Sequence, residues 1–193
     1  MGKQIKKKNN VVVIFFGDGA SEEGVFLESL DFANLHSLNI LFVCENNRYS
    51  VYSNVLKRQN KHRKIFKIAN SLGIKSKKFK DHDLLDLYAQ SKKIIDNIKK
   101  KKQPFLIEVD TYRMLEHCGP NYDDHLNYRN RNEVKYWHRN CQINKYTKKF
   151  IKEKIITEKE LIGEEEVINK EINNAFMFAR KSKYPSKNMM FKY

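Results

Sequence analysis

Apolar residues along this chain fall into two patterns. Val11–Phe16, Ile40–Cys44 and Phe105–Val109 are continuous runs of branched and aromatic residues, broken by polar or glycine-containing stretches. Such runs predict strands buried on both faces, as in parallel sheets. Elsewhere apolar residues recur every three or four positions. Val25, Leu27, Leu30, Ala33 and Leu38 predict a helix over Glu22–Ser37, started by Ser21-Glu22-Glu23 with carboxylates at its positive end. Ile65–Leu72 predicts a short helix stopped by Gly73, and Ile74–Phe79 a short strand. Leu84 to about Lys99 predicts a helix capped by Asp81 or Asp83 and ended by Gln103-Pro104. Val51–Asn60 is polar and predicts a loop, and Thr111–Asn132 has no clear period. Helices return over Glu133–Asn140, Thr147–Ile156 and Glu158–Lys181. The alternation of strand and helix predicts the α/β class, a parallel sheet flanked by helices.

The chain has 193 residues, enough for one domain of ordinary size. The expected organisation is a basic arm over residues 1–10, a single domain over 11–182 and a flexible tail over 183–193. Net charge is +15, carried mostly by lysine. The lysines lie opposite the apolar positions of the helical segments, as on a solvated face. They do not cluster with aromatic residues, which argues against a nucleic-acid interface. No apolar run approaches the ~20 residues that span a bilayer. No signal-like stretch follows the arm. Cys44, Cys118 and Cys141 are widely spaced and make no zinc or disulfide pattern. A cytoplasmic location is expected.

One stretch changes the picture from architecture to chemistry. The Val11–Phe16 strand ends in Gly17-Asp18-Gly19, and a helix follows. Glycines allow a tight turn and close approach of a ligand to the backbone. The N–H groups at a helix start favour a phosphate. A carboxylate there would repel that phosphate unless a divalent metal lay between them. The next strand ends in Asn46-Asn47, whose amide oxygens suit Mg²⁺, and open α/β sheets bind ligands at such adjoining strand ends. Between Gly19 and Asn46 lie 26 residues, Ala20 to Glu45.

Gly-Asp-Gly, a gap in the mid-twenties and then Asn-Asn resembles the fingerprint of thiamine diphosphate-dependent enzymes. GDGASEEGVFLESLDFANLHSLNILFVCENNRYSVYS, with TYRMLEHCGPNYDDHLNYRNRNEV at Thr111–Val134, is similar to the alpha subunit of the first component of 2-oxoacid dehydrogenase complexes. That group includes the pyruvate, branched-chain 2-oxoacid and acetoin dehydrogenases. The resemblance implies thiamine diphosphate and Mg²⁺ as cofactors. It implies Asp18, Asn47 and the Tyr49 carbonyl as metal ligands. Gly17, Asp18, Gly19 and Ala20 would form the diphosphate turn, with N–H groups from Gly19 and Ala20. Arg113 and His117 would sit on a loop closing over the cofactor, with His117 as the catalytic candidate nearest the diphosphate. Tyr128 and Arg129 would order that loop through Asp123 or Asp124.

The resemblance also implies partners. In the family a beta subunit completes the active site, and a lipoyl-bearing acyltransferase receives the acyl group from the 2-oxoacid. The whole would be a heterotetramer. Family subunits carry more than a hundred residues before the Gly-Asp-Gly strand. The sheet is therefore expected to be truncated at its N-terminal side, and an upstream alpha fragment is a candidate partner. Two alternatives stay open: half of another thiamine enzyme of transketolase type, and an inactive fragment or basic binding module.

Overall fold

The computed structural model describes residues 2, 6, 9–80 and 83–191. Most of the expected basic arm, and Asp81, lie outside them. The chain divides into two compact units, Met1–Asn140 and Cys141–Tyr193.

In the first unit four parallel strands form one sheet. They are β1 (Val12–Gly17), β2 (Ile40–Asn46), β5 (Lys75–Phe79) and β6 (Phe105–Asp110), in the order β1-β2-β6-β5. A two-stranded antiparallel hairpin, β3 (Tyr49–Ser50) and β4 (Ser53–Asn54), stands at the end of β2. The helices are α1 (Gly24–Leu35), α2 (Val55–Arg58), α3 (Ile65–Ser71), α4 (Leu84–Lys101) and α5 (Arg131–Arg139).

Alternation along β2 builds the two cores, because successive side chains leave a strand on opposite faces. Phe42 and Cys44 join Phe26, Leu30 and Ala33 of α1, Ile65 and Ala69 of α3, and Leu106. Leu41 and Val43 join Ile94 and Ile98 of α4, with Phe79, Ile107 and Val109. Burial pushes the Cys44 thiol far above its ordinary value, so it packs as an inert neutral group. Gly73 ends α3 at φ 81°, a conformation glycine adopts without strain, and Asp83 caps α4 by accepting from Leu85 and Asp86 N–H.

Three local expectations need correction. The helix after β1 does not start at Ser21. Residues Asp18–Glu22 form a 3₁₀ turn, in which the Ser21 hydroxyl donates to the Asp18 carbonyl at 2.6 Å, and α1 begins only at Gly24. Lys102, left-handed at φ 50°, closes α4 ahead of Gln103-Pro104. Most consequential, β1 is not buried on both faces. Val12, Val13 and Ile14 are each about 40% exposed and Phe15 65%, because β1 is an edge strand paired only with β2 among the described residues. On α1, Val25, Phe32 and Leu35 are also exposed. An apolar edge strand invites pairing with other chains. Phe15→Lys should reduce self-association in sedimentation runs of the isolated chain, with a stability change within about 0.5 kcal/mol.

The second unit holds α6 (Gln142–Lys152), α7 (Glu158–Lys181) and a final 3₁₀ turn, Lys187–Phe191. The Thr157 hydroxyl accepts the Glu160 N–H, and the Glu160 carboxylate accepts the Thr157 N–H, a reciprocal cap that starts α7. Leu161, Ile168, Ile172 and Phe176 recur at helical spacing along α7, none of them buried.

Candidate functional site

Parallel pairing of β1 with β2 sets Gly17 opposite Glu45. Asp18 and the Asn46-Asn47 pair therefore leave adjoining strands at the same level. Arg48 takes a left-handed conformation at φ 67°, and Asn47 Oδ1 accepts the Tyr49 N–H at 2.8 Å, turning the chain into the hairpin. The Asp18–Glu22 turn lies against that hairpin. A Cβ at Gly19 would fall 2.8 Å from Ser50 Oγ, so only glycine lets the turn come this close. Gly17 faces no such crowding, and Ala20 is exposed.

Asp18 is 1% exposed. A buried carboxylate needs a cation, and Arg58 supplies one, with Nη2 2.5 Å from Asp18 Oδ2. The same guanidinium reaches the Glu22 carboxylate, and its Nε donates to the Ser53 carbonyl at 3.1 Å. Gln59 donates to Glu22 at 2.5 Å. Arg63 donates to the Ser21 hydroxyl at 2.9 Å and to the Ser21 carbonyl. Three side chains from one short segment thus clasp a single turn.

Glu108 is buried. It accepts from Asn46 Nδ2 at 2.9 Å, the Phe66 N–H at 3.1 Å and Lys78 Nζ at 2.8 Å, and so fixes the first asparagine of the pair. Burial pulls the Lys78 ammonium down, but its hydrogen bonds to Glu108 and Asp110 outweigh that and leave it above its ordinary value.

The second segment folds over the hairpin. Arg113 donates to the Val51 carbonyl and the Tyr128 hydroxyl, each at 2.9 Å, and to the Leu115 carbonyl at 3.0 Å. Its Nη1 stands 3.3 Å from His117 Nδ1. Arginine can only donate, so in a neutral His117 the proton sits on Nε2. His117 itself is exposed. The Tyr128 hydroxyl donates to Asp123 at 2.6 Å, and Arg129 pairs with Asp123 and reaches Asp124 at 3.1 Å. Tyr128 and Arg129 thus order the loop through both candidate carboxylates. The Tyr128 ring packs edge-on against Tyr49 and Tyr52, with centroids 5.6 and 5.0 Å away. Tyr49 donates to Glu133 at 2.8 Å; burial first, then that hydrogen bond, raises its pKa.

The donor set that the resemblance implies is one carboxylate, one amide oxygen and one backbone carbonyl. Among the described residues no three His, Cys, Asp or Glu side chains gather as a metal site. An all-oxygen set of this kind suits Mg²⁺ that keeps other positions for phosphate and water. The buried Asp18 carboxylate suits such a group, with Arg58 as its counter-ion in the structure.

Fold and site define a parallel α/β protein with a buried carboxylate on a turn at adjoining strand ends. The family model for the dehydrogenase E1 component matches residues 1–188, and the chain belongs to that family. The pyruvate dehydrogenase E1 component subunit alpha of Rickettsia typhi is 27% identical over 183 residues, 95% of this chain and 55% of that subunit. The 2-oxoisovalerate dehydrogenase subunit alpha of Bacillus subtilis is 32% identical over 131 residues, 68% of this chain and 39% of that subunit. A transketolase from Pichia stipitis superposes with a TM-score of 0.44 and 25% identity, over 53% of this chain and 15% of its own. The chain spans about half the length, or less, of the curated relatives. No helix among the described residues is long and apolar enough to cross a membrane.

Proposed function

We propose that this chain is the metal- and diphosphate-holding part of a thiamine diphosphate-dependent enzyme that oxidatively decarboxylates a 2-oxoacid, or cleaves acetoin. The observation that carries the reading is the buried Asp18 carboxylate on a turn packed against the β3–β4 hairpin, in a chain of the E1 family. The bound cofactor supplies an electron sink for the decarboxylation. Asp18, Asn47 and the Tyr49 carbonyl would hold Mg²⁺, and Gly17 to Ala20 would cradle the diphosphate. Arg113 holds the His117 ring so that its Nε2–H is free to donate, which suits a role at the mouth of the site.

The partners in this reading are a beta subunit that completes the site and a lipoyl-bearing acyltransferase that takes the acyl group. An upstream alpha fragment would pair along the bare edge of β1. The assembly would be a cytoplasmic heterotetramer. Pyruvate and branched-chain relatives both match, which leaves the 2-oxoacid open.

The test is calorimetry with thiamine diphosphate and Mg²⁺, with the beta subunit and any upstream chain supplied. Heat that depends on both ligands is expected. None under those conditions would sink the reading.

A further inference from the structure

We propose that Arg58 is a built-in counter-ion for the Asp18 carboxylate, which keeps free divalent metal off that group and yields when metal arrives together with a diphosphate. The proposal rests on the reading of Asp18 as a metal ligand.

Three observations carry it. First, Asp18 is buried and its charge is already matched. Arg58 Nη2 lies 2.5 Å from Oδ2, and no other basic side chain is within ion-pair distance of that carboxylate among the described residues. The guanidinium thus takes up the carboxylate's charge where a metal would.

Second, the guanidinium is held in place independently of Asp18. Its Nε donates to the Ser53 carbonyl and its Nη1 reaches Glu22. Gln59 and Arg63 bind the same turn through Glu22 and Ser21. Arg58 can therefore release one carboxylate oxygen while keeping its other contacts, and the Val55–Arg63 segment need not leave the turn.

Third, the charges discriminate between ligands. A divalent ion arriving alone meets a fixed positive charge beside its only carboxylate ligand. Repulsion at a few ångströms in a water-poor site is strong. A diphosphate reverses the balance, since its negative oxygens offset the metal and offer the guanidinium a paired acceptor in exchange for Asp18. The site then selects the metal–diphosphate pair over either ion alone.

Binding of Mn²⁺, as a paramagnetic probe, measured by electron spin resonance without any cofactor, tests this on the full chain with its partners supplied. Arg58→Gln should bind Mn²⁺ roughly tenfold more tightly than the native chain, or better. Arg58→Lys keeps the charge and should stay near native. Asp18→Asn combined with Arg58→Gln should lose the gain. Equal or weaker Mn²⁺ binding by Arg58→Gln overturns the proposal.

A second measurement needs no variant. The Arg58 Nε–H resonance should stay put when Mg²⁺ is added alone and move when Mg²⁺ and thiamine diphosphate are added together. A shift with Mg²⁺ alone, or none while calorimetry shows the pair bound, also overturns it. If calorimetry shows no binding of the pair to the native assembly, the underlying reading fails. If the pair binds and Arg58→Gln gains nothing, the counter-ion role alone fails.

Discussion

Asp18→Ala is expected to weaken Mg²⁺-dependent binding of thiamine diphosphate by a hundredfold or more, about 2.7 kcal/mol. Asp18 is the one carboxylate in the proposed donor set; Asn47 and the Tyr49 carbonyl bring only neutral oxygens. A hard dication loses most when its anionic ligand goes. Asn47→Ala should cost less, because it removes an amide oxygen that also accepts the Tyr49 N–H. Asp18→Asn separates charge from shape. It keeps the side chain's volume in a site that is 1% exposed, yet should lose nearly as much affinity as the alanine variant. Calorimetry at fixed cofactor and varied Mg²⁺ reads all three. Stability should move as well. Arg58 would keep Glu22 but lose its buried partner, and breaking a buried pair costs up to about 3–5 kcal/mol. A variant that folds, loses Asp18 and still binds the cofactor with Mg²⁺ would place the metal elsewhere.

Much of the architecture was legible because it rests on local signals. The branched runs became β1, β2 and β6, and the Leu84 helix formed with its Asp83 cap. The Glu158–Lys181 helix has its expected bounds. The clasp on Asp18 was not legible. Arg58 lies 40 residues away in Val51–Asn60, whose polar composition reads as a loop. No periodicity marks a contact of that range. The β3–β4 hairpin escaped for another reason. Its turn is Val51-Tyr52, without the Gly, Asn or Asp that such turns favour. Val51 sits at φ 53°, where a β-branched side chain is strained, and Arg113 holds its carbonyl. The strain lies in the hairpin that carries Tyr49, beside the candidate site. For β1, a run of Val, Ile and Phe records only that a strand is fit for burial. It does not record which neighbour will cover it.

The second large effect should come from the loop over that hairpin. Asp123→Ala is expected to destabilise it by about 3 kcal/mol, the lower end of the cost of breaking a buried ion pair. Asp123 is 1% exposed and Arg129 6%, so the guanidinium left behind cannot simply turn to water. Asp124 lies 3.1 Å from Arg129, and the faces of Tyr112 and Tyr128 lie 5.1 and 4.9 Å from it. These contacts offset part of the loss and hold the estimate at the low end. The Tyr128 hydroxyl would lose its acceptor, and with it the fixed position from which it receives the Arg113 N–H. Arg113 in turn orients His117. The change should therefore appear first as faster hydrogen exchange over residues 111–130, and then as a lower denaturant midpoint for the unit. Asp123→Asn keeps an acceptor for Tyr128 while removing the charge, and should fall between the native chain and the alanine variant. If Asp123→Ala left exchange in this loop unchanged, the ordering would have to come from the Tyr49–Tyr52–Tyr128 ring packing. Tyr128→Ala would then be the more damaging substitution.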